Sequence, residues 1–195
     1  MEILKNKKPD IRYLYEMKEV LYDKNWAKNA SPRTELYYMY RGIKKKDGLR
    51  YDITVIPARM LGKEFVKTKG HEHTKNFGEI YIVLKGNAIF LIQKRNRKNI
   101  EEVFAIRAKK GDVAIIPAGY GHFTINPSPK KTLVLANWVS EKCKSNYLQI
   151  EKMKGACYYY TKDGWIKNEN YKKIPPLKFK KPRKSLPKNL KTFLE

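Results

Sequence analysis

Residues 70–86 read GHEHTKNFGEIYIVLKG, and residues 111–126 read GDVAIIPAGYGHFTIN. These two segments contain all three histidines of the chain, His71, His73 and His122. A His-x-His pair suits a β-strand, because side chains two residues apart point to the same face of a sheet. Glycines separate the short apolar runs around the histidines, so both segments are predicted to form strands and turns of a β-protein.

The three imidazoles and the carboxylate of Glu79 are predicted to form one divalent metal site. Glu79 precedes the apolar run 80–84 and therefore enters a strand, whereas His122 must arrive from a distant strand. Imidazole and carboxylate ligands suit iron, manganese, nickel, cobalt or zinc. A single buried histidine is more often a hydrogen-bonded core residue, but here the whole histidine supply has spacings that converge. We therefore predict that His71, His73, Glu79 and His122 hold one metal ion.

The composition indicates one domain with a tail. The chain has 195 residues, of which 42% are hydrophobic and 12% aromatic, and this argues against disorder. No apolar segment follows Met1, and no apolar run reaches the ~20 residues that span a bilayer. We expect a cytoplasmic protein without a membrane segment, in which Cys143 and Cys157 are thiols and not a disulfide.

The net charge of +24 has three readings: nucleic-acid binding, attraction of an anionic sugar phosphate, or a lysine-rich composition. Because the lysines are spread along the chain, the last reading is favoured for the body. Prolines and lysines dominate residues 172–195, which we predict to be a basic extension, at most partly ordered by Leu177, Phe179 and Leu186. This tail offers phosphate contacts to a nucleic acid, but a solvated or barrel-wrapping end is favoured.

Residues 12–171 are predicted to form an all-β domain with a short N-terminal helical segment. Leu14, Met17 and Leu21 have nearly helical spacing within residues 12–22. From Thr34 onward, turn signals recur at intervals of roughly 8–12 residues, and the Asp47-Gly48 pair predicts a hairpin. The pattern is compatible with two facing sheets that close into a jelly roll.

The same two segments resemble the paired motifs of the cupin family. The first motif is matched by Gly70-His71-x-His73, Glu79 and Gly86, and the second by Gly111, Pro117-x-Gly119-x-x-His122 and Asn126. Residues 68–73, followed by Glu79-Ile80-Tyr81, are more narrowly similar to the cupin-type glucose-6-phosphate isomerases of archaea. The gap between His73 and Glu79 is slightly longer than in the commonest cupin pattern, and those isomerases also have a longer gap.

This resemblance implies a double-stranded β-helix, or jelly-roll cupin barrel, and a glucose-6-phosphate isomerase activity. Such an intramolecular oxidoreductase interconverts glucose 6-phosphate and fructose 6-phosphate in glycolysis and gluconeogenesis, and it usually acts as a homodimer. Fe²⁺ is the favoured ion, with Mn²⁺, Ni²⁺ or Zn²⁺ as alternatives. Because a cupin barrel hosts many chemistries, another sugar-phosphate isomerase, an oxygenase and a basic nucleic-acid-binding scaffold stay open.

The resemblance also implies roles for individual residues. Glu79 would be catalytic, carrying a proton between C1 and C2 through a metal-bound cis-enediol, although a hydride shift stays open. The residues implied near the phosphate are Thr54, Thr68, Lys69 and Gly70. Those implied to line the substrate pocket are Tyr37, Tyr81, Trp138 and Tyr147. One departure concerns the position two residues before Tyr147, where family members carry a histidine and this chain has Ser145.

Overall fold

The computed structural model of the chain describes Leu4 and residues 7–194, apart from the side chain of Phe193. The last residue of the predicted extension, Glu195, lies outside the described residues. Three short α-helices occur in the described part: α1 (Lys24–Asn29), α2 (Leu148–Lys152) and α3 (Lys191–Leu194). None of the described helices is long and apolar enough to cross a membrane.

Most of the described chain forms strands, in agreement with the all-β prediction. The strands are β1 (Asp10–Tyr13), β2 (Glu35–Lys46), β3 (Leu49–Ile56), β4 (Met60–Leu61), β5 (Glu64–Phe65), β6 (Glu72–His73), β7 (Glu79–Lys85), β8 (Asn87–Asn96), β9 (Asn99–Lys109), β10 (Val113–Ile116), β11 (Gly121–Ile125), β12 (Leu133–Ser140), β13 (Ser145–Asn146), β14 (Tyr158–Thr161), β15 (Gly164–Lys167) and β16 (Lys178–Lys180).

Two sheets build the barrel. A six-stranded sheet has the order β1-β2-β3-β12-β7-β10, and a four-stranded sheet has the order β11-β8-β9-β16. Smaller sheets pair β13 with β6 and join β15-β14-β5-β4. The inward apolar side chains of both large sheets form one hydrophobic core, which includes Val83 and Leu135 from the first sheet and Leu91 and Phe123 from the second. This two-sheet jelly-roll arrangement confirms the predicted fold class.

Glycines permit two close turns on which this arrangement depends. The β2–β3 hairpin turns at Asp47-Gly48, where both residues have positive φ, as the Asp-Gly pair predicts. Gly86 lies at a corner and not in a hairpin, since β7 and β8 belong to different sheets. Its φ is +82°, and a Cβ there would lie 2.8 Å from the carbonyl oxygen of Thr132. The chain therefore needs glycine to pass from one sheet to the other.

The predicted N-terminal helix is replaced by other structure. Residues 10–13 form β1, which pairs with β2, and two 3-10 turns follow at Leu14–Glu16 and Lys18–Val20. Leu14, Met17 and Leu21 are nevertheless fully buried, as their spacing indicates. Sheet pairing of the preceding residues leaves too short a segment for a stable α-helix, so tertiary contacts decide the local conformation.

The basic tail lies against the barrel, and of the three residues predicted to order it, only Leu177 packs against the core. Phe179 and Leu186 are 56% and 39% exposed, whereas Leu177, Leu190 and Leu194 pack against the barrel. Strand β16 adds in parallel to β9, and two backbone hydrogen bonds join Arg183 to Val113. Leu190 and Leu194 cover apolar side chains on the outer face of the six-stranded sheet, which would otherwise contact water.

Candidate metal centre and substrate cavity

Three segments bring the histidines together at one end of the barrel. His71 and His122 face each other in an antiparallel bridge, in which each backbone N–H donates to the carbonyl oxygen of the other, at 3.3 and 3.0 Å. His73 ends β6, and Glu79 begins β7. Gly70, immediately before His71, has a φ of +76°, and a Cβ at this position would lie 2.0 Å from the Phe123 ring. Only glycine allows the segment that carries the two histidines to approach β11 so closely.

The four predicted ligand side chains converge. Their ligand atoms all lie within 4.8 Å of one another. Glu79 Oε2 is 2.9 Å from His122 Nε2, 3.4 Å from His73 Nε2 and 3.9 Å from His71 Nε2. The carboxylate therefore faces three imidazoles from one side, as the sequence pattern predicts.

The chemistry of these atoms fits a divalent cation. Glu79 Oε2 and His122 Nε2 are buried and have no hydrogen bond of good geometry with any residue that the structure describes. Buried polar atoms without partners are rare, and a metal ion would satisfy both. The Nδ1 of His73 lies 2.8 Å from the carbonyl oxygen of Phe77, an arrangement that leaves Nε2 toward the centre of the cluster.

A hydrogen bond from a neighbouring strand orients the Glu79 carboxylate. Asn137, on β12, donates from Nδ2 to Glu79 Oε1 at 2.6 Å. This contact leaves Oε2 as the oxygen that faces the imidazoles. Residues that orient metal ligands in this way contribute strongly to metal affinity.

Burial and the neighbouring side chains shift the pKa values of Glu79, His71 and His73. Burial raises the pKa of Glu79, but the nearby imidazoles of His122 and His73 outweigh it and hold this pKa well below its ordinary value. Burial and the neighbouring His122 lower the pKa of His71 well below its usual value. For His73, burial is outweighed by the contacts with Cys143 and Glu79, which raise its pKa to about 10. A cation binding here would replace the proton on His73.

One cavity connects this cluster with most of the residues implied to bind substrate. It is lined by the metal-site residues His71, His73 and Glu79, and by six residues named from the family resemblance: Tyr37, Thr54, Thr68, Gly70, Tyr81 and Tyr147. Ser145, which stands where the family has a histidine, also lines the cavity. Its strand β13 pairs directly with His73 in β6.

Two of the implied substrate residues, Trp138 and Lys69, are placed differently from the other six. Trp138 points to the outer face of the six-stranded sheet, where its ring packs 4.9 Å from that of Tyr51, because its neighbours Asn137 and Val139 take the inward face of β12. The ammonium of Lys69 is paired with Glu151 at 2.5 Å and lies 5.2 Å from the ring centroid of Tyr147, which lines the cavity. The backbone N–H of Lys69 donates to the hydroxyl oxygen of Tyr37 at 3.2 Å.

Five polar residues that line the cavity were not predicted from the sequence. They are Arg41, Arg50, Asp52, Asn137 and Cys143. A signal exists for Asn137, the one polar residue in the apolar run 133–139. Arg50, Asp52 and Thr54 alternate with apolar residues, a pattern that normally marks the solvent face of a strand. Here this polar face lines the cavity inside the barrel.

Comparisons with known proteins show which family this chain resembles. A family model described as Glucose-6-phosphate isomerase (GPI) matches residues 14–176. The glucose-6-phosphate isomerase of Thermococcus litoralis is 31% identical over 139 residues, which are 69% of this chain and 71% of that protein. The enzyme of the same name from Pyrococcus abyssi is 30% identical over the same shares. Among solved structures, a cupin-2 domain protein from Shewanella frigidimarina has a TM-score of 0.36 and 18% identity, covering 52% of this chain and 78% of its own.

Proposed function

The chain belongs to the glucose-6-phosphate isomerase family, and we propose that it interconverts glucose 6-phosphate and fructose 6-phosphate with the help of a divalent metal ion. The observation that carries this proposal is the convergence of four ligand atoms within 4.8 Å of one another, in a cavity that hydroxyl groups also line. The ligands would be His71, His73, Glu79 and His122.

The donor set suits a metal of intermediate hardness, since three imidazoles and one carboxylate are typical ligands of such ions. We propose Fe²⁺, with Mn²⁺, Ni²⁺ or Zn²⁺ as alternatives. When bound, such an ion supplies Lewis-acid polarisation of the substrate carbonyl and so acidifies the neighbouring carbon.

The protein groups around this position would orient the sugar and handle its proton. Glu79 is the proposed proton carrier between C1 and C2, with Asn137 fixing one of its carboxylate oxygens. The Tyr81 hydroxyl is beside it, and burial and Glu79 raise the pKa of this phenol well above its ordinary value. Tyr81 therefore stays protonated at neutral pH and can donate a hydrogen bond to a substrate oxygen. Incorporation of solvent deuterium into the product would support proton transfer, and its complete absence would favour a hydride shift.

The remaining lining residues supply hydrogen-bond donors for a polar ligand. Thr54, Thr68 and Tyr147 offer hydroxyl groups, and Tyr37 is buried against the backbone beside Gly70. Thr68 Oγ1 accepts from the N–H of Thr124 at 3.0 Å, so its own proton is available to a ligand. We propose that these groups bind oxygen atoms of the sugar phosphate.

Location and assembly are proposals of the same kind. The two cysteines are free thiols, which is compatible with the cytoplasm. A homodimer is proposed from the family resemblance. Sedimentation of the purified protein would establish the assembly state directly.

The deciding experiment measures metal content and isomerase activity on the same preparations. We expect the wild-type protein to bind about one ion per chain and to lose activity with a chelator. Activity should return when Fe²⁺ or an alternative ion is added. The His73→Ala variant should lose more than about 100-fold in activity, because removal of a ligand should exceed the effect of losing a supporting contact.

Lys75→Ala is the matched control, since Lys75 is exposed and lies two residues beyond His73. It should retain both metal and activity. If wild-type protein reconstituted with iron, manganese, nickel and zinc in turn shows no turnover of either sugar phosphate, the proposed function is rejected.

A further inference from the structure

A sugar phosphate brings a doubly charged phosphoryl group into the cavity, and a positively charged partner favours its binding. The family resemblance implies that Lys69 lies near this group, but the Lys69 ammonium is already paired with Glu151 at 2.5 Å. Among the described residues that line the cavity, Arg41 and Arg50 are the only ones with a permanent positive charge. No role follows for either arginine from the metal site.

A buried carboxylate holds both arginines in place. Asp52 is only 3% exposed and accepts from the backbone N–H of Gly42 at 2.7 Å. Its Oδ2 accepts from the Nε of Arg50 at 2.9 Å and lies 3.7 Å from Nη1 of Arg41. One buried carboxylate thus faces two guanidinium groups, and a second carboxylate, that of the exposed Asp10, pairs with Arg41.

Arg50 is arranged to receive a ligand. Its Nε donates to Asp52, and its two terminal nitrogens make no hydrogen bond with any residue that the structure describes. A guanidinium fixed in this way presents a planar pair of donors that matches the spacing of phosphate oxygens. The Arg50 side chain is 23% exposed, so a ligand that enters the cavity can reach it.

Arg41 lies closer to solvent than Arg50. Its side chain is 40% exposed, and its Nε donates to the exposed Asp10 at 3.0 Å. Arg41 therefore lies at the mouth of the cavity, and Arg50 is the less exposed of the two arginines.

The residue that holds the arginines, Asp52, belongs to a row of side chains that crosses the sheet to Tyr81, two residues after Glu79. Asp52 on β3 lies opposite Asn137 on β12, which lies opposite Tyr81 on β7. Neighbouring strands are ~4.8 Å apart, so Asp52 and Tyr81 are separated by roughly 10 Å across the sheet. An open-chain six-carbon sugar has a comparable length. One molecule can therefore place C1 and C2 near Glu79 and its phosphoryl group near the arginines.

We propose that Arg50 and Arg41, aligned by Asp52, form the anion subsite that binds the phosphoryl group of the sugar phosphate. Thr54, two residues beyond Asp52 on the same face of β3, adds a neighbouring hydroxyl donor. This inference rests on the proposed function for the identity of the substrate. Asp52 is a positioning residue, because it acts through the two arginines.

The test compares Arg50→Gln and Arg41→Gln with Arg33→Gln in the metal-loaded protein. Arg33 is exposed and does not line the cavity, so its replacement removes the same charge without touching the subsite. We expect Arg50→Gln to raise KM for fructose 6-phosphate about tenfold or more while kcat changes less than about threefold, because a charged hydrogen-bond partner of the ligand is lost. Arg41→Gln should raise KM less, and Arg50→Lys should fall between Arg50→Gln and the wild type.

Binding of inorganic phosphate, measured by calorimetry on the same proteins, gives a readout that is independent of turnover. Arg50→Gln should weaken it about tenfold or more, and Arg33→Gln should leave it unchanged. Asp52→Asn should weaken phosphate binding less than Arg50→Gln, because both arginines keep their charge. If Arg50→Gln does not fold, as judged by thermal unfolding, Arg41→Gln decides by the same two measurements.

The outcomes separate the two proposals. If the wild type lacks isomerase activity but binds phosphate through Arg50, the proposed function fails and the anion subsite stands. If the wild type is active and the arginine variants behave like Arg33→Gln, the subsite is overturned and the function stands. A wild-type protein without turnover and without phosphate binding would overturn both.

Discussion

The two faces of the six-stranded sheet are built from the same strands and have opposite chemistry. Along β7, Glu79 and Tyr81 face the cavity, whereas Ile80 and Ile82 face outward. Along β12, Asn137 supports the metal site, and its neighbour Trp138 packs outside. The inner face carries polar residues that line the cavity, and the outer face is apolar and partly covered by the C-terminal tail.

This difference shows that one sheet can separate stability from chemistry residue by residue, because side chains alternate between its faces. Changes on the outer face should alter the free energy of unfolding and leave the cavity intact. Changes on the inner face should alter metal or ligand affinity and leave the outer packing intact. The predictions below test this separation.

The largest effect on stability is expected from the end of the tail. Leu194 is fully buried against the outer face, in contact with β7 and β12 through α3. Leu194→Ala should lower the free energy of unfolding by about 2 kcal/mol or more, because it removes a buried side chain and leaves a cavity. Denaturant unfolding measures this, and metal affinity should not change.

Leu186→Ala provides the control, because Leu186 lies in the same tail and is 39% exposed. Its effect should stay within about 0.5 kcal/mol, as for other surface substitutions. Equal and small effects of both substitutions would mean that the tail does not cover the outer face in solution.

On the inner face we expect a smaller effect, which concerns metal affinity and not the free energy of unfolding. Asn137→Ala removes the donor to Glu79 Oε1 and should weaken metal binding by about 10–100-fold, as for other contacts that orient ligands. Trp138→Phe, one residue along, should leave metal affinity unchanged and reduce stability. Competition with a chelator measures affinity in both variants. A loss of metal affinity in Trp138→Phe equal to that in Asn137→Ala would contradict the separation of the two faces.

The smallest effect is expected where the tail meets the barrel through charges. Lys184 Nζ lies 2.6 Å from Asp112 Oδ1, and this lysine, with the backbone N–H of Lys109, lowers the pKa of Asp112. Because the folded pKa lies below the ordinary value of 3.8, the stabilisation is present at neutral pH and is lost as the pH falls below that value. The Lys184 side chain is 75% exposed, so Lys184→Ala should cost no more than about 1 kcal/mol.

Unfolding at low and high salt measures this contribution, which should shrink as salt screens the pair. Lys188→Ala, an exposed change in the same tail, is the control. A large effect of Lys184→Ala that persists in high salt would show that Lys184 stabilises the tail by packing and not by charge.

The convergence of the four candidate metal ligands was predictable because their signal is local and chemical. Histidine is rare in this chain, and the His-x-His spacing, the glycines beside it and Glu79 at the start of an apolar run indicate strands whose side chains converge. The all-β class was equally readable from the recurring turns. The prediction of an N-terminal helix was wrong because the pairing of β1 with β2 decides the conformation of that segment. Such pairing has no local signal in the sequence.

Identity and spacing of residues thus determined by themselves the β-fold and the four candidate metal ligands. Only the tertiary structure decided which face of each strand meets the cavity, and so placed Asn137 inside and Trp138 outside. It also decided that Lys69 pairs with Glu151, that Asp52 holds two arginines, and that the basic tail covers a sheet. These outcomes depend on strand register and on contacts between residues far apart in the chain, which composition and periodicity do not encode.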